Sequence, residues 1–135
     1  MTEELRIPAA MMREMIEHAL VERPLESCGL VAGRAGRPLR FYPTRNADQS
    51  PVRYSIHPED LLHATLDIER RCEDLWAIFH SHPQSEAYPS HTDIRLAFYP
   101  ESIYLIASLL HPEQPVLRGY RILGQDVREL AIRFE

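Results

Sequence analysis

Leu75–His82 reads LWAIFHSH, an apolar run that ends in two histidines and is closed by Pro83. Its length and its Trp, Ile and Phe predict a central β-strand. On a strand, alternate side chains share a face, so His80 and His82 project together from its C-terminal end, within reach of one metal ion. Ser90 stands eight residues after His82 and Asp93 three after that, giving His-x-His-x7-Ser-x2-Asp. Two imidazoles and one carboxylate form a catalytic zinc set that leaves one position for water. Each part also has a plainer reading. A His-x-His pair arises from packing, and Ser90 with Asp93 alone is a helix N-cap and capping box. Their joint occurrence at this spacing carries the metal reading.

Outward from this strand the chain is punctuated by Pro and Gly. Residues 8–22 carry apolar side chains at Met11, Met12, Met15, Ile16, Ala19 and Leu20, an amphipathic helix between Pro8 and Pro24. Residues 28–33 read as a buried strand, paired through Ala35-Gly36 with 38–44. A polar loop (RNADQSP, 45–51) leads to a short strand over Val52–Ile56. His57-Pro58-Glu59-Asp60 opens a second helix to about Cys72, with proline and acids in its first turn. A third helix is expected from Ser90 to about Tyr99, a strand over Ile103–Leu109, and a last pair, Val116–Leu123 and Val127–Phe134, around Gly124-Gln125. The expected order is α-β-β-β-α-β-α-β-β-β, an α/β sheet with helices packed on it.

The chain has 135 residues, enough for one core without disulfides, and no break in composition divides it. A formal net charge of −5 and interrupted arginines give no basic stripe, so no nucleic-acid partner is expected. No apolar run approaches a membrane span, and acidic residues stand where a leader would be basic. These features point to a cytoplasmic protein with no membrane partner. Cys28 and Cys72 make neither a disulfide framework nor a CxxC motif and read as two small buried thiols. Trp76 and Phe98-Tyr99 read as core, Asn46 and Tyr88 as candidates for a substrate groove, and His91 as rim. The other histidines read as surface or satisfied residues.

His-x-His occurs in other folds. An amidohydrolase barrel needs about 250 residues, a cupin is almost wholly β, and the Pro-Cys-x-x-Cys of zinc deaminases is absent. His80-Ser81-His82-Pro83, Ser90 and Asp93, with upstream Glu26-Ser27-Cys28-Gly29-Leu30, resemble the JAMM motif of the MPN+ (Mov34/JAB) metallopeptidases over nearly the whole chain. The resemblance implies a single-domain MPN (cytidine-deaminase-like) fold over residues 1–135, with a mixed curved central sheet and about three helices. It implies one zinc per chain, held by His80, His82, Asp93 and a water, with Glu26 as general base and Ser90 stabilising the oxyanion. Glu26 is singled out by the resemblance alone, and Cys28 stands two residues from it. The compact chain is similar to minimal prokaryotic members that trim ubiquitin-like sulfur-carrier proteins. The implied activity is hydrolysis of peptide or isopeptide bonds after a terminal Gly-Gly. Two alternatives stay open: a zinc-stabilised module that binds ubiquitin-like proteins without cutting them, and a zinc amidohydrolase acting on a small amide.

Overall fold

The computed structural model describes residues 3–135; the leader reading begins at Met1 and Thr2, outside them. Ten elements follow one another: β1 (Glu4–Ile7), α1 (Ala9–Glu22), β2 (Cys28–Arg34), β3 (Arg37–Thr44), α2 (Pro58–Arg70), β4 (Asp74–His82), α3 (His91–Arg95), β5 (Ile103–Ser108), β6 (Val116–Leu123) and β7 (Asp126–Phe134). All seven strands join one mixed sheet in the order β1-β7-β6-β5-β4-β2-β3, curled into a half-barrel with three helices. LWAIFHSH lies near its middle, antiparallel to β2 and parallel to β5. Strand neighbours on both sides and cover on both faces explain why β4 reads as a continuous apolar run.

The two faces of the sheet bury different layers. Met11, Met15 and Ala19 of α1 pack on one, against Val31, Phe79 and Leu105. On the other, Leu30, Ile78, Ile106 and Tyr120 meet Ala64 of α2 and Ile94 of α3. Strand alternation assigns Phe79 to the α1 face and Ile78 to the opposite one, so His80 and His82 also lie under α2 and α3.

Five expectations are corrected. The terminal strand β1 was not anticipated: only Leu5 and Ile7 face inward, and its partner is the far end of the chain, in the parallel pairing Glu4↔Ala131 to Ile7↔Phe134. Val52–Ile56 is not a strand and keeps a single bridge, Asn46↔Ile56. The Asn46 side chain takes the hydrogen-bonding groups that a neighbouring strand would have used. Helix α3 stops at Arg95, with Leu96 as its C-cap, instead of reaching Tyr99, which Pro100 in any case disfavours in helical backbone. Phe98 and Tyr99 are consequently exposed, not core, whereas Trp76 is buried and donates from Nε1 to the Gly36 carbonyl at 3.1 Å. Cys72 is exposed as well: it follows α2 with φ 56°, a left-handed residue that turns its side chain outward. Cys28 is buried as expected. Among the described residues no helix is long and apolar enough to cross a membrane.

Candidate metal centre

The C-terminal end of β4 brings His80 and His82 to one place, and the start of α3 brings Asp93 to meet them. His80 Nε2 and His82 Nε2 are 3.1 Å apart, and Asp93 Oδ2 is 3.1 Å from the first and 3.0 Å from the second. Three electron-pair donors thus form a nearly equilateral triangle. Bonds of about 2.0–2.1 Å to a tetrahedral zinc would separate ligand atoms by about 3.3–3.4 Å, within a few tenths of these distances. The donor set therefore fits a zinc-sized cation, and these three form a group able to hold one.

The local structure fixes each donor. His82 Nδ1 donates to the Glu86 carbonyl at 2.7 Å, which places the proton on Nδ1 and leaves Nε2 bare toward the centre. Ser90 caps α3: its Oγ accepts from the Asp93 N–H at 3.0 Å, while the Ser90 N–H donates to Asp93 Oδ2 at 2.9 Å. This reciprocal capping box aims the carboxylate back at the strand end. His80 is wholly buried, and its Nδ1 has no hydrogen-bond partner among the described residues. The Tyr54 ring lies over it, centroids 4.6 Å apart and planes 22° from parallel.

Electrostatics follow from burial and contact. Burial lowers the His80 pKa against the opposing pull of Asp93. Burial opposes the proton on His82 too, but the Asp93 carboxylate and the Glu86 carbonyl outweigh it and the pKa rises. Burial disfavours the Asp93 anion, yet its close contacts with the two imidazoles and the hydrogen bond from the Ser90 N–H hold it well below the usual carboxylate range.

Glu26, in the turn before β2, is 3% exposed, and its Oε1 has no partner. Burial pushes its pKa up to about 8, with His82 lowering it and Asp93 raising it, so the carboxyl borders the centre. Its place is set by its neighbours. The Ser27 N–H and Oγ both reach Ser81 Oγ of β4 at 2.8 Å, and the Ser81 N–H returns to the Ser27 carbonyl at 3.0 Å. Asn46 Nδ2 donates to the Glu26 carbonyl at 3.1 Å, and the Glu26 N–H donates to the Ser50 carbonyl. Asn46 is therefore a buried latch and not a groove residue. Tyr88 stays exposed, at the edge of a cavity of about 320 Å³ that also holds His111 and Arg118. His91 is exposed beside the capping box.

Cys28 pairs with His80 in the strand register, but its thiol faces Thr44 Oγ1 at 3.2 Å and is pushed by burial up to about 11. His18 is satisfied, its Nε2 directed at the Cys28 and Thr44 carbonyls. The residue that sequence reading missed is Tyr54. It lies in the stretch taken for a strand, and no spacing rule connects it to a histidine so far along the chain.

The family described as prokaryotic homologs of the JAB domain matches residues 8–123. A CysO-cysteine peptidase of Mycobacterium tuberculosis is 39% identical over 127 residues, covering 93% of this chain and 87% of its own length. A desampylase of Haloferax volcanii is 33% identical over 122 residues, 88% of this chain and 85% of its own. The solution structure of a protein from Desulfitobacterium hafniense superposes with TM-score 0.87 at 38% identity, covering 97% of this chain and 92% of that one.

Proposed function

This chain belongs to the prokaryotic JAB-domain family, and from that premise we propose that it is a zinc metallopeptidase cleaving after the C-terminal Gly-Gly of a ubiquitin-like sulfur-carrier protein. Residues 1–135 are read as one such domain, acting in the cytoplasm. The observation that carries the proposal is the 3.0–3.1 Å triangle of His80, His82 and Asp93, with the unpartnered Glu26 carboxyl beside it. Relatives named as a peptidase and a desampylase support the same class of reaction.

His80, His82 and Asp93 would hold one zinc ion, which when bound supplies Lewis acidity, acidifying water and polarising the scissile carbonyl. Glu26 takes the proton from the attacking water and passes it to the leaving amine. Such a general base contributes on the order of 10²–10⁴-fold, most effectively with a pKa near the working pH. Ser90 Oγ already accepts from the Asp93 N–H, so its own hydroxyl proton remains free to donate to the oxyanion.

The substrate's tail finds a backbone edge next to the centre. Asn46 holds the Arg53 carbonyl at 3.0 Å and the Ser55 N–H at 3.1 Å, while the Ala47 N–H holds the Ser55 carbonyl at 2.7 Å. In extended chain the intervening residue points its groups the other way. The N–H and C=O of Tyr54 make no hydrogen bond among the described residues. An extended tail pairs there by β-augmentation, along a cavity of about 260 Å³ lined by Tyr54, Ile56, Leu61, Asp93 and Leu96.

The test is to incubate the zinc-loaded chain with ubiquitin-like sulfur-carrier proteins extended beyond Gly-Gly and to read the products by mass spectrometry. A single cut after the second glycine is expected, blocked when that glycine is replaced by a bulky residue. His80→Ala, His82→Ala and Asp93→Ala should each sharply reduce zinc content. Equal cleavage of the bulky variant would overturn the Gly-Gly specificity. Undiminished zinc in all three variants would overturn the ligand set.

A further inference from the structure

The two imidazoles of the centre are oriented by different means. His82 is fixed by its Nδ1–H bond to the Glu86 carbonyl at 2.7 Å. A metal-binding histidine almost always has such an anchor on its second nitrogen. His80 has none: its Nδ1 is buried and unpartnered among the described residues. Something else must hold the plane of that ring, because an imidazole turned about its χ2 bond no longer directs Nε2 at the other donors.

Tyr54 meets that need. Its ring covers the His80 imidazole at 4.6 Å and 22°, whereas the His82 ring touches His80 only at an edge, 62° from parallel. A face-on neighbour fixes the plane of the imidazole, and Asp93 at 3.1 Å selects which edge points to the centre. Tyr54 is itself held rigidly. The Asn46 amide clamps the residues on both sides of it, and its ring packs on the cluster containing Ile78, Tyr104 and Ile106. The path from Asn46 through Tyr54 to His80 thus does for one ligand what the Glu86 carbonyl does for the other.

We propose that Tyr54 is the positioning residue for His80, its ring stacking in place of the absent hydrogen bond at Nδ1. The inference rests on His80 as a metal ligand, and its test separates the two claims. In the metal-free full-length chain, the ring current of Tyr54 should move the His80 ring protons upfield in the NMR spectrum. Tyr54→Phe should keep that displacement and Tyr54→Leu should lose it. In competition with a chromogenic chelator, Tyr54→Leu should hold zinc about two- to tenfold more weakly, the range expected for loss of one aromatic pair. Tyr54→Phe should match the wild type, and the visible spectrum of the cobalt(II)-substituted protein should change only in Tyr54→Leu.

Wild-type zinc affinity and unmoved His80 resonances in Tyr54→Leu would overturn the proposal. So would a Tyr54→Phe chain as weak as Tyr54→Leu, which would transfer the role from ring to hydroxyl. If Tyr54→Leu does not fold, Tyr54→Trp and Tyr54→Met supply the same contrast between ring and no ring. Should the His80 resonances follow the ring at position 54 while the wild-type chain takes up no zinc, the positioning stands and the metal reading falls.

Discussion

A buried carboxyl with an unsatisfied oxygen is costly to ionise, and Glu26, with a pKa raised to about 8, carries that cost. In the metal-free chain its folded pKa lies above the unfolded value, so its relative contribution is most favourable in acid. That contribution is lost as the pH rises from about 4.5 to about 8. Glu26→Gln removes the titration and keeps the shape. The metal-free wild type should therefore lose stability relative to this variant across that interval, as read from urea midpoints; a constant difference would contradict the assignment. Loaded with zinc, Glu26→Gln should retain metal and fold while losing at least about 10²-fold in turnover; a near-normal rate would remove Glu26 from the mechanism. Ser90→Ala should lose activity and, through the missing cap, about 1 kcal/mol of stability. His80, His82, Ser90 and Asp93 were legible because local geometry brings them together: two residues along a strand and three across a helix start. Glu26 was singled out by the family resemblance alone, since it reaches the centre through Ser27–Ser81 and Asn46 contacts that no spacing rule anticipates.

At the scale of elements, the strands that sequence reading found are those whose pattern is complete within themselves. β4 and β5 are continuous buried runs, and the β2–β3 and β6–β7 pairs are hairpins around glycine turns. β1 was missed because four residues carry too little pattern. Val52–Ile56 was misread because its composition is that of a strand while a side-chain amide occupies its backbone. The tightest fit lies in β2, which threads between β3 and the histidine-bearing β4. A Cβ on Gly29 would stand 2.6 Å from both the Phe41 ring and the Tyr42 carbonyl oxygen. Because one of these is backbone, a side-chain rotation cannot relieve the clash. Gly29→Ala should cost about 1–3 kcal/mol in a urea titration and loosen zinc by shifting β2 against β4. A melt indistinguishable from wild type would show that the two strands have room to separate.

For the molecule as a whole, the donors lie at the rim of the sheet, while the two apolar layers are closed by α1 on one side and α2 with α3 on the other. Removing zinc should therefore leave a cooperative thermal transition at a somewhat lower midpoint, with activity abolished by a chelator and restored by added zinc. A chain that unfolds without metal would instead be a zinc-stabilised binding module. The fold class and the alternation of helix and strand were readable in the sequence. The curl of the sheet came from the family resemblance and not from periodicity, and the pairing of β1 with β7 was not anticipated at all. That pairing also bears on biosynthesis. Glu4 has its partner at Ala131, so a ribosome must pass residue 131 before β1 can dock. Until then β7 is missing, and the partly made sheet presents β6 as an open edge to the crowded surroundings of the exit tunnel. The closing event is a contact of very long sequence separation, the kind that slows folding. Between the making of β6 and the emergence of β7, the nascent chain is thus exposed to chaperones and to misassociation along that edge.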